Sequence, residues 1–284
     1  MKFLNEAVRQ LFQTETDANT IKPIGGGCIH QAGVFQHNHQ NYFIKWNSNA
    51  SEMFEAETKG LVLLKNTNSI DVPEVIGQGA VGNIDYLCLE YIESRQTSPD
   101  FWESFGQGLA ELHKHTANSF GLGHDNFIGS LRQINKKHLD WTDFFINERL
   151  IPQLKMARDK GFIDDQVNAK FDLLFKKLPH LIPNERPSLL HGDLWSGNFL
   201  VGDQGQPVIF DPAAYYGHRE AEIAFTGLFG GFDDRFYENY ETAYPLQPGY
   251  KERVGIFNLY PLLVHVNLFG LAYLSQVKQI LAKL

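Results

Sequence analysis

The run HGDLWSGNFLVGDQGQPVIFDPAAYYGHRE, from His191 to Glu220, decides how the rest of the chain is read. Two short apolar stretches, NFLV and PVIFD, flank the polar turn GDQGQ, the pattern of a β-hairpin. Asp193 and Asn198 lie on a tight polar loop before it, and Asp211 ends its second strand. If the stretches pair, Asp211 is carried back beside Asn198. A carboxylate and an amide oxygen then offer the hard oxygen donors that magnesium takes, with the Asp193 carboxylate left outside that set. Phosphoryl transfer asks for this division: cation ligands neutralise phosphate charge, while a separate carboxylate orients the attacking hydroxyl and accepts its proton. The bland alternative is a polar turn with Asp193 as a cap and Asp211 merely preceding Pro212; H-G-D-x-x-x-x-N followed by a strand-borne Asp speaks against it.

Working outward, 284 residues suit one large domain or two lobes, and 43% hydrophobic with 13% aromatic residues supply a substantial core and exclude global disorder. A net charge of -8 without a basic stripe excludes a general nucleic-acid binder, although a locally cationic anion pocket is compatible with it. Two cysteines, Cys28 and Cys88, cannot make a disulfide framework or a four-cysteine zinc site, so a reducing cytoplasm is expected. MKFLNEAVRQLFQTETD has no apolar core of the signal-peptide kind, and secretion is not expected. Val254 to Leu274 is long and apolar, but Asn258, Pro261, His265 and Asn267 interrupt it. It is read as a buried helix, with no membrane partner.

Phe3 to Phe12 carries the three-and-four apolar spacing of an amphipathic helix. IKPIGGGCIHQAGVFQHNHQNYFIKW then reads as strand, glycine turn, strand, polar turn at Gln36 to Asn41, and a strand ending near Lys45. A helix from about Ser51 follows, then two strands in VPEVIGQGAVGNIDYLCLEYIES. Beyond Glu93, FWESFGQGLAELHKHT, WTDFFINERLIPQLKMAR and DDQVNAKFDLLFKKL are helical in period. A small mixed lobe of roughly five strands and one inserted helix thus precedes a larger, mostly helical one.

Taken together, these residues resemble the protein-kinase-like phosphotransferases, which include aminoglycoside and choline kinases. More narrowly, HGDLWSGN (191–198), FDPAAYYGHREAEIAFTGLFGGF (210–232) and GGGCIHQA (25–32) resemble the fructosamine kinase, or ketosamine 3-kinase, family. MFEAE (53–57), FGLGHDNFIGSL (120–131) and NLYPLLVHVNLFG (258–270) extend the resemblance over nearly the whole chain. Val264, Leu271-Ala272 and Glu222, where an Asp is commoner, depart from it. The resemblance implies an α+β, protein-kinase-like bilobal fold: a nucleotide-binding lobe over 1–92 with a five-stranded antiparallel sheet plus helix, and a catalytic and acceptor-binding lobe over 93–284. It implies ATP and Mg2+ as cofactors and a ketoamine acceptor, small or protein-bound, phosphorylated on the sugar 3-hydroxyl, with deglycation as the role. Asp193 would be the catalytic base, Asn198 and Asp211 the magnesium ligands, and His191 a support for the loop.

The upstream residues fit the same frame. Lys45 ends a strand, and a lysine beside phosphates needs an acidic partner, as in kinase small lobes. Glu57 is favoured over Glu55 by its inward position and by the family's F-x-x-E. Gly25, Gly26 and Gly27 would let backbone amides approach a phosphate. Cys28 at the tip of that turn is either a small residue tolerated there or a reactive thiol; some members of the family it resembles carry such a cysteine and form a redox-sensitive, linked homodimer. LCLEYIE would end at an adenine-gripping hinge with backbone groups of Glu90 and Ile92. Cys88 reads as core. Arg219 is expected to pair with nearby carboxylates, His218 is left open, and Trp195 either stacks on a sugar-like acceptor or wedges between helices. His37 and His39 read as a solvated hairpin tip, and His113 and His115 as end-of-helix cations. The competing functions are a kinase of another small alcohol, such as an aminoglycoside or choline, and a redox-regulated nucleotide-binding regulator; the intact set of Lys45, Asp193, Asn198 and Asp211 speaks against the regulator.

Overall fold

The computed structural model describes residues 2–14, 21–24 and 30–283, so Gly25, Gly26, Gly27 and Cys28 lie outside the described residues. The chain forms two compact units, Met1–Phe101 with Phe199–Pro212, and Trp102–Asn198 with Ala213–Leu284.

In the first unit, α1 (Lys2–Phe12) buries Leu4, Ala7 and Val8 in a cluster with Phe35, Ile44 and Tyr86, as its apolar stripe requires. The sheet is antiparallel and five-stranded: β1 (Lys22–Pro23), β2 (Gln31–His37), β3 (Gln40–Ser48), β4 (Val75–Val81) and β5 (Ile84–Glu90), in the order β1-β2-β3-β5-β4. The helix α2 (Ser51–Lys65) is inserted between β3 and β4. The expected sheet with one inserted helix is therefore what the chain builds. The turn between β2 and β3 is tighter than the sequence suggests. Asn38 and His39 both take left-handed backbone, with φ of 49° and 64°, as a two-residue hairpin turn demands. The strand thereby continues to His37, which is buried and stacked on Phe12 with ring centroids 4.5 Å apart, instead of standing at a solvated tip.

The second unit opens with α3, the helix Phe101–His113, whose first residue is the last of the first unit. A short hairpin of β6 (Asn126–Ile128) and β7 (Leu131–Gln133) follows. Then come α4 (Trp141–Phe144), a π-helical turn over Phe145–Leu150, α5 (Ile151–Asp159) and α6 (Asp165–Leu181), the last capped by Asp164 accepting from the Val167 amide. After β8 (Ser188–Leu190) and the loop to Asn198, the hairpin of β9 (Phe199–Val201) and β10 (Pro207–Ile209) belongs to the first unit. It is fixed there by the Ile209 amide donating to the Asp71 carbonyl at 2.9 Å and the Ser98 amide to the Gly205 carbonyl at 3.0 Å. The chain then forms β11 (Tyr215–Gly217), which pairs antiparallel with β8. The closing helices are α7 (Arg219–Thr226), α8 (Asp234–Ala243), α9 (Tyr250–Phe269) and α10 (Leu274–Lys283). Ile256, Leu259, Leu262, Leu263 and Val266 bury α9 among α5, α7 and α10, the buried helix its composition predicts. Among the described residues no helix is long and apolar enough to cross a membrane.

Candidate active site

Each unit contributes one constellation. In the first, β3 lies between β2 and β5, so Lys45 is held from both sides, opposite Ala32 and Leu87. Its side chain is buried and its ammonium bonds two carboxylates: Glu57, from α2, and Asp211, whose Oδ1 lies at 2.6 Å. Glu55, the competing partner, instead bonds Lys59 one turn along on the exposed face. Burial works against the Lys45 charge, but the Asp211 and Glu57 carboxylates outweigh it and hold the pKa above the usual lysine value. For Glu57, burial prevails over the pull of Lys45 and raises the carboxyl, with Asp211 adding to the rise. One ammonium thus serves two acids.

Asp211 follows the β9–β10 hairpin, whose register sets Ile209 opposite Phe199, so the predicted pairing of NFLV with PVIFD forms. Its backbone is left-handed, φ 61°, a conformation costly for most residues with a side chain, more accessible to Asp, and found disproportionately where function holds it. The Asp211 side chain remains half exposed.

In the second unit, the catalytic-loop candidate runs from His191 to Asn198. The Asn198 side-chain nitrogen donates to the Asp193 carbonyl at 2.8 Å and to Asp193 Oδ2 at 3.0 Å. Asp193 is thereby oriented by the residue five places on, and the bonded atom of Asn198 is its nitrogen, not its oxygen. Oxygen from an amide and from a half-exposed carboxylate is the donor chemistry magnesium prefers, so the residues fit that ion. His191 is fully buried, and its Nδ1 accepts from the Asp193 amide at 3.3 Å. At Gly192, φ is 85° and a Cβ would lie 2.2 Å from the Ala213 carbonyl oxygen, so only glycine lets the loop pass there. Trp195 is 38% exposed and its ring covers Gly197, where a Cβ would meet it at 2.4 Å. A tryptophan wedged between helices does not describe it.

Matching extends well beyond these residues. The fructosamine kinase family description fits the chain over residues 1–284. The chain belongs to the fructosamine kinase family. It is 41% identical, over 92% of its length and 91% of the relative's, to a probable ketoamine kinase of Vibrio parahaemolyticus. It is 38% identical, over 97% of its length and 86% of the relative's, to the chloroplastic protein-ribulosamine 3-kinase of Arabidopsis thaliana. Among solved structures it is similar to a Haemophilus somnus protein assigned as a fructosamine-3-kinase, with a TM-score of 0.89, 29% identity, and 99% and 96% of the two chains covered.

Several residues of this fructosamine kinase family member lie otherwise than their sequence neighbours suggest. His113 ends α3 but is fully buried, not solvated: Nε2 faces Glu222 Oε2 at 2.9 Å and Nδ1 faces the Tyr240 hydroxyl at 2.7 Å. Glu222 accepts the His191 amide at 3.0 Å and the Gly192 amide at 2.6 Å. Burial works to raise the Glu222 pKa, but His113, His191 and the Gly192 amide outweigh it and hold the carboxyl below its usual value. Arg219 pairs with Glu185, not with Glu220 or Glu222, while Glu220 pairs with Arg253. His218 is a buried N-cap of α7 accepting from the Glu220 amide. The FGLGHDNFIGSL motif also acquires a task. Asn126 and Gln133 donate to the Ala214 and Ala213 carbonyls at 2.8 and 3.1 Å, fixing the backbone that follows DP.

Proposed function

We propose that the chain is an ATP-dependent kinase that phosphorylates the 3-hydroxyl of a ketoamine, the sugar adduct left on an amine by glycation. The observation that carries this is the Asp193 carboxylate held by Asn198 within the HGDLWSGN loop. A carboxylate so oriented is suited to receive an acceptor hydroxyl and take its proton as the hydroxyl attacks the γ-phosphorus in line. Asn198 and Asp211 are the residues that would hold magnesium. When bound, that ion neutralises phosphate charge. Lys45, kept charged by its carboxylates, orients the phosphates, and Glu57 orients Lys45. Glycines 25–27 and Cys28 would cover the nucleotide. Among the described residues nothing bonds the Ile92 backbone, while the Glu90 amide is taken by the Glu74 carbonyl. The Glu90 carbonyl and the Ile92 amide are therefore the groups proposed to grip adenine.

The choice of a ketoamine rests on the relatives' names, and the 3-position on the ribulosamine and fructosamine 3-kinases among them. Phosphate leaves carbon far more readily than hydroxide does, so a 3-phosphorylated adduct breaks down and frees its amine. That chemistry makes deglycation the role, and a reducing cytoplasm the compartment we assign. The test is magnesium-dependent ADP release with ATP and ribulose-lysine, fructose-lysine, an aminoglycoside or choline, with Asp193→Asn as control. Ketoamine-stimulated turnover that falls at least about 100-fold in the control is expected. Turnover with choline or the aminoglycoside alone would sink the ketoamine assignment.

A further inference from the structure

We propose that His113 and Tyr240 are positioning residues which, through Glu222, set the backbone of the catalytic loop and so the aim of Asp193. This deepens the kinase reading and rests on it. Glu222, a carboxylate, can only accept, and it takes three donors: the amides of His191 and Gly192 and Nε2–H of His113. With its proton on Nε2, His113 presents Nδ1 as an acceptor to the Tyr240 hydroxyl at 2.7 Å. Burial keeps that hydroxyl protonated, and Arg219, anchored on Glu185, lies beside its oxygen. The donations therefore converge on Glu222, from Tyr240 through His113 on one side and from the two amides that precede Asp193 on the other.

The packing shows that this path is built. Two turns before His113 on α3 stands Gly106, where a Cβ would meet the Phe236 carbonyl oxygen at 2.2 Å and the Tyr240 amide nitrogen at 2.9 Å. Only a glycine lets α3 approach α8 closely enough for the imidazole to reach the phenol. The departure at Glu222 belongs to the same design: the longer side chain spans from α7 to both loop amides and to His113. Without Tyr240 the imidazole loses the partner that fixes its tautomer, Glu222 loses a fixed donor, and the loop backbone gains freedom.

The test uses the whole chain. Tyr240→Phe removes one hydroxyl and no volume of consequence; Tyr237→Phe, whose hydroxyl instead bonds Thr226 and the Phe232 amide, is the control on the same helix. His113→Leu and His113→Gln form a second pair, since a glutamine side-chain amide can still donate to Glu222. Turnover is measured with ATP and the active ketoamine, and amide exchange at His191 and Gly192 by NMR. In Tyr240→Phe, kcat is expected to fall about 3- to 10-fold with both KM values within about twofold, and Gly192 exchange to quicken about 10-fold. Tyr237→Phe is expected to change neither, and His113→Gln to recover most of what His113→Leu loses. Unchanged exchange at both amides in Tyr240→Phe and His113→Leu would overturn the proposal, as would an equal loss of kcat in Tyr237→Phe. Absence of ketoamine turnover in the unsubstituted protein would remove the substrate assignment alone, because the exchange measurement still decides whether the path holds the loop.

Discussion

Lys45 is the residue on which the first unit's chemistry converges, and its environment makes a stability argument as well as a functional one. It is 6% exposed and shared by Glu57 and Asp211. Removing one member of a buried ion pair costs about 3–5 kcal/mol, because the other is left charged and dry. Here the orphan has an escape: burial already raises the Glu57 carboxyl, so it takes up a proton more readily than an ordinary glutamate. Lys45→Met is therefore expected to cost about 2 kcal/mol, below that range. The double change Lys45→Met with Glu57→Leu should cost measurably less than the single one, because no buried orphan remains, Asp211 being half exposed. Urea midpoints of the two variants check this; equal midpoints would mean that Glu57 is not held by Lys45 in solution. The pair was legible only through the family resemblance, whose F-x-x-E, together with the inward position of Glu57, favours it over Glu55; a strand-end lysine alone reads as a surface residue. His113 was not legible. Its helix-end position suggests a solvated cation, and the groups that bury it, Tyr240 and Glu222, lie more than one hundred residues away in the chain. Arg219 misled in the same way: two glutamates stand next to it in sequence, yet its partner Glu185 comes from the segment before β8.

At the scale of elements, the clearest test is the crossing of α3 and α8 at Gly106. Alanine is favoured over glycine in a helix interior by ~0.5–1 kcal/mol, so local propensity alone makes Gly106→Ala stabilising. Packing opposes this, because the new methyl would sit against the backbone of α8, which cannot rotate away as a side chain could. Overpacking of that kind costs about 1–3 kcal/mol, and a net loss of stability together with a fall in kcat is expected. Gly123→Ala, where nothing lies within 4 Å, should be close to neutral. Thermal unfolding and kcat of the two variants decide the matter; a stabilised Gly106→Ala would mean that the two helices do not press there. Long, periodic elements such as α1, α2 and α6 announce themselves in sequence. Three-residue strands show a period of two too briefly: β9 and β10 are betrayed by the polar turn between them, whereas only their partners reveal β6, β7 and β11. The widened turn at Phe145–Leu150 is equally silent, since its residues continue the same helical pattern.

For the molecule as a whole, the division into a sheet-based and a mostly helical portion was readable from the change of period near residue 93. The inclusion of Phe199–Pro212 with the first unit was not, because it depends on backbone bonds to Asp71 and Ser98 that no side-chain pattern encodes. Stability towards acid is the property in which the buried polar groups act together. His218 packs against the rings of Trp141 and Phe257, its Nε2–H donating to the Pro183 carbonyl and its Nδ1 accepting the Glu220 amide. Burial lowers its pKa from 6.5, more than the flanking Glu185 and Glu220 raise it. A proton on Nδ1 would also set one N–H against another. Below about pH 6.5, and down to the lowered folded value, the unfolded chain therefore binds a proton that the folded chain refuses, and stability falls with pH by at most about 1.4 kcal/mol per unit for this one group. Glu222 adds to the loss lower down: its folded pKa lies below 4.5, so its contribution is complete above 4.5 and disappears as the pH falls through the depressed value. Denaturant unfolding between pH 7.5 and 5, compared with His218→Asn, isolates the first effect. Asparagine keeps an N-cap acceptor for the Glu220 amide but has no proton to gain. The variant is expected to be less stable at pH 7.5 and to lose stability less steeply towards pH 5; parallel slopes would assign the acid sensitivity to other groups.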